Sequence, residues 1–185
     1  MTRVGMDDIA MMRLALAEAL RALDHDDVPV GAIVVDNGAV VASRHNEREV
    51  TGSPFAHAEL LALGDAHRAI GTARLASCEL VVTLEPCVMC AGGIRLFGVG
   101  RVVFGADEPR SGACGSRYNV LGDVRLPRRP PLHTGVDAEV DAWGPDRLPN
   151  VTRGVLGADS ARLLGEFFAR RRAETTASNV SAHLH

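Results

Sequence analysis

Near the N-terminus, Ile9, Met12, Leu16, Leu20 and Leu23 recur at helical spacing, with Asp7 and Asp8 where a helix carries its positive dipole end. This pattern predicts an amphipathic helix from about Met6 to Leu23, closed by the acidic turn Asp24 to Asp27. Val30 to Val35 and Ala39 to Ser43 are β-branched or small apolar runs on either side of Asp36-Asn37-Gly38, a strong hairpin signal. Gly52-Ser53-Pro54 then breaks the chain, and Leu60, Leu61 and Leu63 supply the apolar face of a helix from about His57 to Ala69. Glu79 to Thr83 reads as a strand, Val88 to Leu96 as a helix and Arg101 to Phe104 as a buried strand. Strand, crossover helix and strand imply parallel pairing between helix layers, which makes the fold class α/β. In a last helix capped by Asp159, Leu163, Leu164, Phe167 and Phe168 form a stripe, and Arg170 to Arg172 sit at its negative end.

The chain has 185 residues, 46% of them hydrophobic, which is enough for one core and too little to expect two. A single domain is expected over residues 1–172. Within it, 126–149 holds five prolines and reads as a long loop insertion, while 173–185, small and polar, is expected to be a disordered tail. Four cysteines do not make a disulfide framework, so a reducing, cytoplasmic setting is expected. Charges interrupt the first helix, no run is long enough to span a bilayer, and no membrane partner is expected. The net charge of -3 argues against a molecule coated in positive potential, yet residues 1 to 60 carry five Arg against ten acids and residues 101 to 130 six Arg against three acids. Basic charge is displaced toward the C-terminal half. All of it is arginine, which pairs bidentately with phosphate and stacks on bases, although solvated arginines from a biased codon usage explain the same count.

The chemistry lies in His57-Ala58-Glu59 and Pro86-Cys87-Val88-Met89-Cys90. Together they match the H-x-E…P-C-x-x-C pattern of zinc nucleobase deaminases. One imidazole and two thiolates make three ligands, the number that leaves zinc a fourth position for water, whose pKa the ion lowers to about 7. Glu59 stands two residues from His57, an offset that in mid-helix would send the side chains about 200° apart. Both serve one metal only at a helix's first turn. Pro86 suits a helix start, where unpaired N–H groups favour the thiolates of Cys87 and Cys90. A closed structural site would need a fourth ligand from Cys78, Cys114 or His67, and would leave Glu59 without a task. Cys78 and Cys114 read instead as small packed residues.

Around these motifs, Asp27 to Ala32, His45-Asn46, Thr83 to Gly92, Arg101 to Ala106, Gly112 to Ser116 and the Phe167-Phe168 helix resemble the bacterial tRNA adenosine deaminases, from about Met6 to Arg172. The resemblance implies a three-layer α/β/α sandwich with a mixed five-stranded sheet, cytidine deaminase-like, assembled as a homodimer. It also implies conversion of the wobble adenosine of an arginine tRNA to inosine. One zinc per subunit would be held by His57, Cys87 and Cys90, with Glu59 as the catalytic proton carrier between water, base ring and leaving ammonia. Asn46, by position alone an ordinary turn residue at a strand end, would by the resemblance hydrogen-bond the base. If the substrate is tRNA, Arg125, Arg128 and Arg129, on or beside the long loop, are expected to contact its phosphates, and otherwise they are solvated loop charges. The chain differs from the family's usual residues at Phe55, Gly93, Glu108 and Arg110, and at Pro127-Arg128, where an Asn-His pair usually stands. Two other functions share the zinc pattern: a deaminase of free guanine or cytosine with the insertion as a lid, and a zinc-stabilised binding module without catalysis.

Overall fold

The computed structural model describes residues 7–72, 74–125 and 148–182, and for 177–182 the backbone alone. The elements run α1 (Asp8–Arg21), a 3-10 turn (Ala22–His25), β1 (Gly31–Asp36), β2 (Ala39–His45), α2 (Arg48–Thr51), α3 (Ala58–Ile70), β3 (Cys78–Leu84), α4 (Val88–Phe97), β4 (Arg101–Ala106), β5 (Asn150–Arg153) and α5 (Gly157–Ala182). The five strands form one mixed sheet in the order β2-β1-β3-β4-β5. β1 pairs antiparallel with β2 and β3, while β3–β4 and β4–β5 are parallel. The Asn37-Gly38 hairpin forms as expected, with both residues at positive φ, 54° and 83°.

Strand alternation builds two cores. Ala32, Val34, Leu80, Val82, Val102 and Phe104 face α3 and α4, where Ala62, Leu63, Ala66, Ala91 and Ile94 meet them. Ile33, Val35, Val81 and Val103 face the opposite way, onto Met11, Met12 and Ala15 of α1 and Val155 and Leu156 before α5. Helices therefore cover both faces of the sheet, in three layers. No helix among the described residues is long and apolar enough to cross a membrane.

The face that α1 buries differs from the expected stripe. Met11, Met12, Ala15, Glu18 and Ala19 are buried, whereas Ile9 and Leu20 are about half exposed. The cause is close contact at Gly31, where a Cβ would lie 2.2 Å from the carbonyl oxygen of Ala15 and 2.4 Å from the amide nitrogen of Ala19. The helix turns its small residues to the sheet so that backbone can meet backbone. Replacing Gly31 with alanine must push the two apart, and it is expected to cost about 3 kcal/mol, read as a lowered midpoint in urea at unchanged slope.

In α5, Ser160, Leu164 and Phe167 turn toward the core, while Phe168 falls outside the stripe and is 44% exposed. The helix is continuous past the Arg172 boundary to Ala182, with residues 173–176 exposed. Of the 126–149 loop, only 148 and 149 are among the described residues. β5, which begins next, has an exposed, polar pattern that carries no strand periodicity of its own.

Candidate metal centre and active site

His57 is the N-cap of α3 and Cys87 the N-cap of α4, so two helix starts meet at one point. Glu59 falls in the first turn of α3, the one place where it can fold back beside His57. Loop hydrogen bonds fix the approach. Glu47 N–H donates to the carbonyl of Ala56 at 3.0 Å, and Ala113 N–H to that of Pro86 at 2.8 Å.

The sulfur of Cys87 lies 3.7 Å and that of Cys90 3.4 Å from His57 Nδ1. Among the described residues these three are the one group of His, Cys, Asp and Glu whose donor atoms cluster within 4.8 Å. A tetrahedral zinc with usual bond lengths spans N···S edges of about 3.6 Å, so the donor set and its spacing fit that ion. Neither Cys78, Cys114 nor His67 joins the group. Cys78 is buried at the start of β3, with its thiol pushed up to about 11 by burial. Burial likewise raises the Cys114 thiol, to about 12. His67 sits in the last turn of α3, its Nδ1 2.7 Å from the Thr72 carbonyl. The three-ligand count stands.

The two thiols are pushed in opposite directions. Cys87 is held down to about 4, first by a hydrogen bond from Cys90 and then by His57, and Cys90 is pushed upward by its contact with the Cys87 sulfur and by burial. The Cys87 contact in turn raises His57. The Glu59 side chain is 5% exposed, and burial holds its carboxyl above the ordinary glutamate range. A group of this kind takes up and gives back a proton readily.

Behind the centre stands Glu85, also buried, which sequence reasoning passed over. Its carboxylate accepts N–H bonds from Glu108 (3.0 Å), Cys114 (2.9 Å) and Ser116 (3.0 Å), tying the 108–116 loop to the strand that leads into Cys87. Gly112 makes this clamp feasible, because a Cβ there would lie 2.4 Å from Glu85 Oε2. Burial alone would raise the Glu85 pKa, but donors from Ser116, Glu108 and Cys114 outweigh it, and the carboxyl sits below its ordinary 4.5. The clamp's contribution to stability is therefore full above about pH 4.5 and is lost as pH falls through the lower folded value. Protection of the Glu108, Cys114 and Ser116 amides, relative to the intrinsic exchange rate at each pH, is expected to be high at neutral pH and to fall below that range, and E85Q, which keeps only one accepting oxygen, is expected to lose protection on one side of the clamp at every pH. A charged residue at the end of an apolar strand was the available signal.

Asn46 is buried just past β2, its Nδ2 donating to Asp27 Oδ1 at 3.1 Å. Arg125 is exposed and paired with Asp123, Nε to Oδ1 and Nη2 to Oδ2 both at 2.9 Å, while Arg128 and Arg129 lie outside the described residues. Of the unusual positions, Gly93 has a reason in the packing. A Cβ there would lie 2.5 Å from Leu60 Cδ2, so leucine on α3 fills the space a larger residue on α4 would take.

The sequence profile of the cytidine and deoxycytidylate deaminase zinc-binding region matches residues 6–106. Among curated relatives, the tRNA-specific adenosine deaminase of Bacillus subtilis is 43% identical over 176 residues, covering 94% of this chain and 98% of that protein. The tRNA-specific adenosine deaminase of Streptococcus pyogenes serotype M18 is 34% identical over 161 residues, covering 87% and 89%. Among solved structures, one from a study of A-to-I editing by tRNA:A34 deaminases at the wobble position is 32% identical, with a TM-score of 0.69, over 83% of this chain and 97% of that one. The guanine deaminase of Nitrosomonas europaea is 29% identical, with a TM-score of 0.65, over 90% and 87%.

Proposed function

The chain belongs to the cytidine and deoxycytidylate deaminase family, and within that family we propose that it deaminates adenosine in tRNA to inosine, at the wobble position of an arginine tRNA. The observation that carries the reading is the buried Glu59 carboxyl beside the His57, Cys87 and Cys90 donors, all set by two helix starts. Relatives named as tRNA-specific adenosine deaminases, matching nearly end to end, support the substrate.

His57, Cys87 and Cys90 would hold zinc, which when bound supplies a Lewis acid that activates water at neutral pH. Glu59 accepts the proton of the attacking water and delivers it to the base ring as the new C–O bond forms at the carbon bearing the amino group. The same carboxylate then takes the remaining proton from the new hydroxyl and gives it to the amine, so that the C–N bond breaks, the C=O bond forms and ammonia leaves. Water and adenosine are consumed, inosine and ammonia formed. Burial keeps Glu59 from exchanging that proton with solvent between the two transfers. Asn46 contacts the base.

RNA must be gripped outside this pocket, and Arg125, Arg128 and Arg129 are assigned to phosphates. Arg125 first gives up its Asp123 partner. With all three replaced by alanine, the log–log salt dependence of tRNA affinity is expected to flatten by about two to three units. A homodimer in a cytoplasmic setting completes the reading, with Phe55, Val88 and Leu96, each about half exposed or more around the metal helices, as apolar area for a second subunit.

The test is inosine formation in arginine tRNA by zinc-loaded protein, with free adenine, guanine and cytosine assayed in parallel. Inosine at the wobble position, and no turnover of free bases, is the expected result. Turnover of free guanine without tRNA product would move the protein to the activity named for the Nitrosomonas europaea neighbour.

A further inference from the structure

Asp27 is fully buried, and no role in the reaction described above requires a carboxylate there. It nevertheless collects donors from three segments. His25 Nδ1 lies 3.0 Å from Oδ2, Asn46 Nδ2 donates to Oδ1 at 3.1 Å, Glu49 N–H reaches both oxygens at 2.9 and 3.1 Å, and Val50 N–H reaches Oδ2 at 3.1 Å. Glu47, the N-cap of α2, makes no side-chain cap, so a carboxylate twenty residues upstream satisfies the first amides of that turn instead.

We propose that Asp27 is the positioning residue that sets the polarity with which Asn46 meets the substrate, its amide nitrogen turned inward to the carboxylate and its carbonyl oxygen turned away from it. The inference rests on the reading that Asn46 contacts the base. The physical ground is that an ionised carboxylate only accepts hydrogen bonds, so an amide facing it must present nitrogen. A free asparagine flips between two orientations that are nearly isosteric and exchange donor for acceptor. Here one orientation costs a hydrogen bond to a buried charge.

The frame around the pair is rigid. Asn46 N–H donates to the Val30 carbonyl at 2.9 Å, and the next residue's N–H bonds to Ala56, immediately before His57. On the far side, His25 Nε2 lies 3.1 Å from His45 Nε2, and His45 Nδ1 lies 2.7 Å from Glu18 Oε1. Asp27 is thus braced from α1 through two imidazoles, and Asn46 is fixed at one remove from a metal ligand. Preorganisation of this kind lowers the cost of binding without touching the chemical step.

The experiment is a double-mutant cycle on deamination of an arginine-tRNA anticodon stem-loop, with kcat, KM, zinc content and melting temperature measured for each protein. D27N lets either face of the amide pair, and it is expected to raise KM about tenfold with kcat within about twofold. In the N46A background the same change is expected to add nothing, and D27E, which remains a pure acceptor, is expected to stay within about threefold of the parent. Equal cost of D27N in both backgrounds would overturn the proposal, as would a loss that follows zinc content or melting temperature. An N46A protein with unchanged KM would instead remove the base-contact reading on which the proposal rests. Side-chain amide NMR of the unmutated protein gives an answer even if D27N fails to fold. One Asn46 amide proton is expected to be shifted downfield and slow to exchange, and two freely exchanging protons would end the argument.

Discussion

Glu59→Gln is expected to leave a folded, zinc-loaded protein whose deamination rate has fallen about a thousandfold or more, within the range that a positioned acid or base contributes. The substitution keeps the size of the side chain and removes its capacity to carry a proton. Two transfers fail together, because one carboxyl serves both the attacking water and the departing amine. Solvent cannot stand in, since the side chain is 5% exposed and packed against the Cys90 side of the site. The check is single-turnover inosine formation with zinc measured on the same sample, so that loss of proton transfer is separated from loss of metal. A rate within tenfold of the parent would assign the proton to another group.

The features most legible in the sequence were those in which a local rule and a chemical rule coincide. The two-residue spacing of His57 and Glu59 demanded a helix start, and α3 begins at Ala58. The proline before Cys87 predicted the other start, and α4 begins at Val88. The hairpin at Asn37-Gly38 and the parallel β3–β4 pair were readable for the same reason, since each depends on a few adjacent residues or on a short crossover. What escaped depends on contacts remote in sequence. The periodicity of α1 pointed Ile9 and Leu20 inward, but the backbone of Gly31 requires Ala15 and Ala19 there, and no pattern within the helix records that. Glu85 and Asp27 looked like ordinary polar residues between apolar runs. Their significance comes from the amides they gather, at Glu108, Cys114 and Ser116 for one and at Glu49 and Val50 for the other. α2, four residues without a buried side chain, carries no hydrophobic signature at all.

Cys90→Ala is expected to abolish zinc retention and lower activity at least about a hundredfold, the scale on which disturbing even the outer partners of a metal ligand reduces affinity or turnover. Cys90 is fully buried in the first turn of α4 and supplies one of the three clustered donor atoms, so its loss leaves two. Stability should respond less than activity. The cores on both faces of the sheet are built mainly from apolar side chains of the strands and helices and not from the ligands themselves, and a metal that binds only the folded form at about a hundred times its Kd adds about 2.7 kcal/mol. Chelation of the parent protein is therefore expected to give a folded, inactive species with a lowered melting temperature, reactivated by zinc. The same geometry sets the pH dependence of reloading. Cys87 is already a thiolate, held down to about 4 by Cys90 and His57, whereas Cys90 keeps its proton and His57 is raised by the Cys87 sulfur. Zinc must displace those protons, so its affinity is expected to weaken as pH falls, and proton release on binding, followed in a weakly buffered titration, measures it directly. Unfolding on chelation would mean that the metal holds the fold together, and would favour the non-catalytic zinc module over the deaminase.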